Sequence, residues 1–302
     1  MKPKNILRLL FIASFVIPAA CDVKDPIFNT PHPGHGTVTL TTDWSGISTD
    51  LTTPGSYTVT ATRNGSATAG YSATLNGVTN RLDHLFDPGT YRFCVYNTPE
   101  YITVNGSIAT VAEAPGNTDG VGKFVQSVPG WLFTSATDAT LAADTDHSLT
   151  APMQQQVRQL TLIIEPTGGT TDKIERIEGY LTGAASAFDL SDGSHAEPRN
   201  AELQFSRITS GTDAGKWSAT VRLLGIAGEQ QKLNARIYFT NNTPRFVGLD
   251  SDLTTQLAAF NADKRTPMTL GGSVVETPTE AGFGATITDW ETVTGNGPVV
   301  AN

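Results

Sequence analysis

The chain has 302 residues, with 20 Lys and Arg against 29 Asp and Glu, a formal net charge of −9 at pH 7. That length covers one large domain or two ordinary ones. The acidic balance argues against a nucleic-acid partner, because phosphate binding needs a basic face. Only two cysteines, Cys21 and Cys94, occur, too few for a disulfide framework.

Residues 1–20 read as an export signal. Lys2, Lys4 and Arg8 make a positive start, Leu9 to Ile17 is apolar except for Ser14, and Pro18-Ala19-Ala20 places small residues before Cys21. These are the three parts of a secretory signal peptide. The apolar run is shorter than the roughly 20 residues a membrane span takes. A cysteine directly after the cut resembles the bacterial lipoprotein signal, which makes Cys21 the expected lipidation site. Pro18 departs from that signal, which usually has leucine there. No later segment approaches a transmembrane span, so membrane attachment is expected through lipid on Cys21.

Residues 21–36 then read as a lipid tether, ending in Pro31-His32-Pro33-Gly34-His35-Gly36. From Thr37 on, short alternating runs recur between Gly, Pro, Asn and Asp clusters, the pattern of an all-β sandwich. Thr37–Thr42 and Tyr57–Ala61 alternate with period two. Asp87-Pro88-Gly89 is a turn into a strand over Thr90–Tyr96, and Asn105-Gly106 joins two short strands as a hairpin. Val157–Glu165 is apolar on both faces, which predicts a central strand covered on two sides. Later strands are predicted over Ile174–Leu181, Leu203–Ile208, Trp217–Leu224, Leu233–Thr240, Met268–Val275 and Phe283–Trp290. Leu253, Leu257 and Phe260 recur at helical spacing after Ser251 and Asp252, which predicts one short helix with either residue as its cap. A polar stretch near His147–Pro152 separates the strand runs. It predicts an N-terminal β-sandwich over 37–147 and a C-terminal one over 148–302.

Catalytic motifs are missing: no phosphate loop, no GxGxxG, no GxSxG elbow and no HExxH. Cys94 lies in an apolar strand and reads as a small buried hydrophobe. His32 and His35 have metal-like spacing but sit in the Pro- and Gly-rich tether. Asp138, Asp144 and Asp146 lack a calcium-loop pattern and read as solvated charge. Asp189, Asp192 and Glu197 lie in Gly-Ser loops, with nothing to mark two of them as an opposed glycosidase pair. Trp44, Trp131, Trp217 and Trp290 could offer sugar platforms, but the last two sit in strand patterns and read as core. No enzyme, no metal and no cofactor is expected.

Asn29–Gly36 running into Val38–Trp44 resembles the N-terminal segment of FimB/Mfa-type fimbrial subunits of the Bacteroidota. Leu85–Tyr91, Val95–Pro99, Phe260–Lys264 and Ala285–Trp290 continue the likeness. The resemblance implies two tandem transthyretin-like or immunoglobulin-like β-sandwiches in an outer-membrane lipoprotein. It implies partners among other fimbrial subunits, joined by strand exchange, in which a strand of one subunit completes the sheet of the next. Shaft subunits of such systems are cut after a basic residue near the N-terminus, whereas anchor subunits keep their first strand and their lipid. Lys24 is the only Lys or Arg between Cys21 and Arg63. The chain therefore reads as an anchor or base subunit. The alternatives are a tip adhesin and a surface glycan-binding lipoprotein.

Overall fold

The computed structural model describes residues 32–116, 121–167, 173–241, 244–279 and 282–293. The expected signal segment and the expected lipidation site Cys21 lie outside them. The first strands are β1 (Thr37–Gly46), β2 (Ser56–Arg63), β3 (Tyr71–Asn76), β4 (Thr79–Arg81) and β5 (Gly89–Tyr96). Four short ones follow, β6 (Ile102–Asn105), β7 (Ile108–Val111), β8 (Glu113–Ala114) and β9 (Phe124–Val125). Next come β10 (Phe133–Leu141), β11 (Asp146–Gln155), β12 (Arg158–Glu165), β13 (Ile174–Asp189), β14 (His195–Arg207), β15 (Trp217–Leu223), β16 (Lys232–Phe239) and β17 (Phe246–Asp252). A single short helix, α1 (Thr254–Leu257), precedes β18 (Met268–Ser273), β19 (Val275–Thr279), β20 (Gly282–Thr286) and β21 (Glu291–Thr292). The described chain is all-β with one short helix.

The first sheet runs β3-β2-β5-β10-β11-β1-β4. Its two end strands, β3 and β4, are neighbours in sequence, joined by a tight turn at Gly77. There φ is +77°, a conformation only glycine adopts without strain. Bringing the ends together curls the sheet around a core that includes Val38, Leu40, Tyr57, Val59, Phe93 and Met153. The second sheet follows the path β19-β20-β17-β16-β13-β14-β15-β12-β18-β21 over a separate core. β12 lies between antiparallel β15 and parallel β18. Leu160, Leu162 and Ile164 on one face and Thr161 and Ile163 on the other are all buried, as the two-sided apolar pattern predicts.

Two features differ from the expected division at 147/148. The first is β11, which contains that boundary. Asp146–Ser148 pair with the start of β1, so the polar stretch is the exposed part of a first-sheet strand, and the chain changes sheet between Gln155 and Arg158. The second is the segment from β6 to β9. The expected hairpin forms at Asn105-Gly106, but β7 pairs with β13 and β9 pairs with β14. The strands β6 to β9, which lie in sequence between two strands of the first sheet, thus extend the second.

The helix occupies the expected position but only one turn is helical. Leu253, Leu257 and Phe260 are buried together. The N-cap position is Leu253, which has no side-chain capping bond, so neither expected residue caps the helix; Asp252 Oδ1 accepts from Thr254 N at 2.8 Å from one position earlier. Ser251 does not cap; its hydroxyl donates to Ile287 O and accepts from Trp290 Nε1 at 2.8 Å.

Candidate functional site

β1 is paired on both of its edges and closes the first core. Its alternation puts Val38 and Leu40 into the core, at 0 and 1 % exposure, while Thr39 and Thr41 face outward. It pairs in parallel with β11 from Thr37↔Asp146 to Gly46↔Gln154, and antiparallel with β4 over Thr39–Thr41. The strand is therefore held on both sides, and its side chains complete the first core. The residues just before it are also fixed. Gly36 N donates to Phe86 O at 2.8 Å and Phe86 N to Gly36 O at 2.9 Å, and His35 Nε2 sits 3.3 Å from Asp87 Oδ1. His35 and Gly36, expected as the end of the tether, thus continue the sheet contact of β1.

A second feature lies where the two sheets meet. A cavity of about 450 Å3 is lined by Leu51 after β1, by Trp131, Arg158, Gln159 and Met268, and by Val293 after β21. Arg158 is 6 % exposed and spends its donors on carbonyls, with Nε to Thr266 O at 2.7 Å and Nη1 to Phe260 O at 2.8 Å. Burial lowers its pKa, against the pull of Asp263. Asn97 also ties strands here: Nδ2 donates to Trp131 O at 2.9 Å, and Oδ1 accepts from Phe133 N at 2.7 Å.

The other side chains weighed in the sequence are placed as follows. Arg92 holds Asp138 through two bonds, Nε to Oδ1 at 2.8 Å and Nη2 to Oδ2 at 2.7 Å, and this pairing lowers the carboxylate's pKa. Asp146 faces Arg81 and the Thr37 hydroxyl, and Asp144 sits in a turn with φ of +51°. Asp189 and Asp192 accept from Ser191 N and Ser194 N, each at 2.8 Å, and Glu197 faces Arg199. These carboxylates shape turns or pair with arginines, and the structure brings no two of them together across a cleft. No group of three or more His, Cys, Asp or Glu able to hold a metal occurs among the described residues. Trp217 and Trp290 are buried, each 5 % exposed. Trp44 packs edge-on against Tyr57 and Phe133, and Arg222 lies over the ring of Trp131. Cys94 is buried, and that burial raises its thiol pKa against the lowering effect of Arg92. No helix among the described residues is long and apolar enough to cross a membrane.

One buried pair carries no signal in the sequence. Lys264, 8 % exposed, meets His195 across 69 positions of chain. Lys264 belongs to the segment Phe260–Lys264 that the family resemblance singles out, but nothing in that segment names a histidine as its partner.

Several solved structures share this architecture. The fimbrial anchor protein Mfa2 from Porphyromonas gingivalis superposes with a TM-score of 0.58 at 12% identity, covering 85% of this chain and 97% of that one. A candidate adhesin from Bacteroides ovatus gives 0.55 at 17% identity, covering 84% and 93%. A candidate cell adhesion protein from Bacteroides eggerthii gives 0.51 at 10% identity, covering 85% and 96%. At such identities the likeness is one of fold. No curated protein matches in sequence. Residues 46–296, however, match the family model of fimbrillin-A associated anchor proteins Mfa1 and Mfa2. That match spans most of the chain and makes this a fimbrial, adhesin-type protein of the cell surface: the chain belongs to the family of fimbrillin-A associated anchor proteins Mfa1 and Mfa2.

Proposed function

We propose that the protein is the non-catalytic base subunit of a fimbrium, anchored in the outer membrane by lipid on Cys21 and joined to other subunits by β-strand exchange. The observation that carries this reading is the position of β1. It fills the space between β11 and β4 and buries Val38 and Leu40. A proteolytic cut after Lys24 leaves it whole. A cut after Arg63 removes β1 and β2 together, with the buried Tyr57, Val59 and Ala61. A base subunit is served by keeping its own strand, since its first core is then closed and its lipid stays attached. Two or three acyl chains hold such a protein stably where one chain is marginal. Exchange with a neighbour then uses an unpaired sheet edge elsewhere, where main-chain hydrogen bonds give affinity and alternate side chains give register.

Mass spectrometry of the protein from cell surfaces tests this. The expected N-terminus is lipidated Cys21, and Cys21→Ala is expected in the soluble fraction. An N-terminus following Arg63 would assign the chain to the shaft instead. Deleting the gene is expected to shed fimbriae into the medium or change their length while subunit synthesis continues. Unchanged fimbriae together with oligosaccharide binding would favour the glycan-binding alternative.

A further inference from the structure

The Lys264–His195 pair serves neither the retained strand nor the lipid. Lys264 Nζ lies 2.7 Å from His195 Nε2 and donates to Leu224 O at 3.0 Å and Gln156 Oε1 at 3.2 Å. Three acceptors around three N–H groups satisfy an ammonium in full. The ring of Phe188 adds a cation–π contact at 4.9 Å. Among the described residues no carboxylate is within ion-pairing distance of Lys264. The cation is therefore buried, solvated by neutral groups, and without a counter-ion.

Its shell joins the two sheets. Gln155 ends β11 in the first and Gln156 follows it, and Gln155 Nε2 also donates to Lys264 O at 2.6 Å. His195 opens β14 in the second, and Leu224 follows β15. Phe188 and His195 flank the turn of the β13–β14 hairpin, and that turn reaches back to the first sheet. There Arg92 Nη1 on β5 donates to Ser191 O at 2.6 Å. The imidazole occupies room that only glycine leaves: a Cβ on Gly225 would lie 2.2 Å from His195 Cδ2. A cavity of about 280 Å3 adjoins the pair, lined by Gly46, Gly193 and Arg265, and gives water access to it.

The remaining charges around the pair, Arg265 apart, are committed elsewhere. Asp263 Oδ1 accepts from Arg265 N at 3.0 Å and Thr266 N at 3.4 Å. Arg158 donates to two carbonyls, Asp189 and Asp192 accept within the hairpin turn, Glu197 faces Arg199, and Arg92 holds Asp138. Arg265 lines the cavity.

We propose that Lys264 and His195 form a pH-sensitive latch between the sheets: neutral His195 accepts from the Lys264 ammonium and keeps the β13–β14 turn docked on the first sheet, and protonated His195 releases it. Two cations cannot share a 2.7 Å contact, so a proton on His195 expels the imidazole from the shell. Burial first, and then the Lys264 charge, lower the His195 pKa from 6.5 to about 4, against a backbone hydrogen bond to Leu224 that raises it. Burial also lowers Lys264 from 10.5 to about 7, and its three acceptors favour the charged form. Because the folded His195 value lies below the unfolded one, its stabilising contribution is complete above pH 6.5 and is lost as pH falls toward 4. Lys264 stays protonated throughout that window, so the imidazole is the titrating member. The gap between about 4 and 6.5 corresponds to a rise of about 300-fold in the opening equilibrium.

Hydrogen exchange of the full chain at pH 7 and pH 4.5, corrected for intrinsic exchange rates, tests the latch. Protection over residues 188–195 is expected to fall by tens of fold in the natural protein. His195→Gln keeps an acceptor without a titrating proton, and its protection is expected to change by no more than about twofold, the share left to Lys264 with its pKa lowered to about 7. Equal protection of the natural protein at both pH values, or the same loss in His195→Gln, would overturn the proposal. Should His195→Gln fail to fold, the imidazole titration of the natural protein read by NMR decides. A midpoint near 4 supports the latch, and one at 6 or above refutes it.

Discussion

Replacing Leu40 by Ala tests whether β1 is a structural member of the first core. Leu40 is 1 % exposed and stands opposite Leu149 on β11 and Asn80 on β4. Its neighbours on both sides are fixed by backbone pairing, so the site has little freedom to collapse around the lost methyl groups. A buried Leu→Ala change of this kind costs about 2–5 kcal/mol. At about 2 °C per kcal/mol for a chain of this size, the midpoint of melting falls by roughly 3–10 °C. Thr41→Ala is the control. Its hydroxyl faces out and meets Thr79 Oγ1 at 3.1 Å on the surface, so its loss costs at most about 1 kcal/mol. Urea and thermal unfolding of the protein without residues 1–20 give both values. A peptide of residues 37–46 is then expected to bind Leu40→Ala more readily than the natural protein, whose groove is occupied. If Leu40→Ala melts within 1 °C of Thr41→Ala, β1 is not an integral part of the core.

Gly179 lies in β13 opposite Ala235, where a Cβ would stand 2.4 Å from Asn234 O and 2.6 Å from Ala235 Cβ. Gly179→Ala is therefore expected to cost about 1–3 kcal/mol in urea unfolding, whereas Gly55→Ala, with nothing within 4 Å, stays within about 0.5 kcal/mol. Cys94, buried and with its thiol pKa raised, is expected to resist maleimide labelling in the native protein at pH 7 and to label fully in urea.

Alternation was readable wherever a strand has one buried face. β1, β2 and β15 fall close to their predicted spans for that reason, β5 does so as a short apolar run buried on both faces over Phe93–Tyr96, and β12 stands out because both its faces are covered. β11 escaped because it looks like a linker. Its first half is polar and solvent-facing, and Pro152, a residue that usually argues against a strand interior, sits beside the irregularity in the β1 register between Asp43 and Gly46. β10 carries a Ser- and Thr-rich run whose only large apolar residues, Phe133 and Leu141, stand at its two ends. The docking of β6–β9 on the second sheet depends on pairing with residues some 75 or more positions away, which no local pattern reports. That a cut after Lys24 leaves β1 whole, and one after Arg63 removes it, is readable from the spacing of Lys24 and Arg63 around the first predicted strand. The Lys264–His195 pair is not readable, because a buried lysine satisfied by a histidine, a glutamine amide and a carbonyl has no fixed spacing.

The parallel pairing of β1 with β11 has a mechanical consequence if the protein is a lipid-held base. The chain enters β1 at Gly36, on the membrane side of the sequence, and leaves β11 at its far end through Gln156 into β12. Because the two strands run the same way, a pull between Gly36 and β12 draws them past each other lengthwise. Every ladder bond from Thr37↔Asp146 to Gly46↔Gln154 then carries load together. In an antiparallel pair the same attachment points would lie at one end, and the bonds would open one after another. Single-molecule pulling separates these cases within this protein. Handles at residues 36 and 158 load the pair in shear, whereas handles at 36 and 145 lie at the same end and unzip it. The first geometry is expected to need a clearly higher rupture force. Equal forces would show that β1 and β11 do not form the load-bearing contact, and that tension between the lipid and the second sheet is carried by the pairing of Gly36 with Phe86 or of β1 with β4.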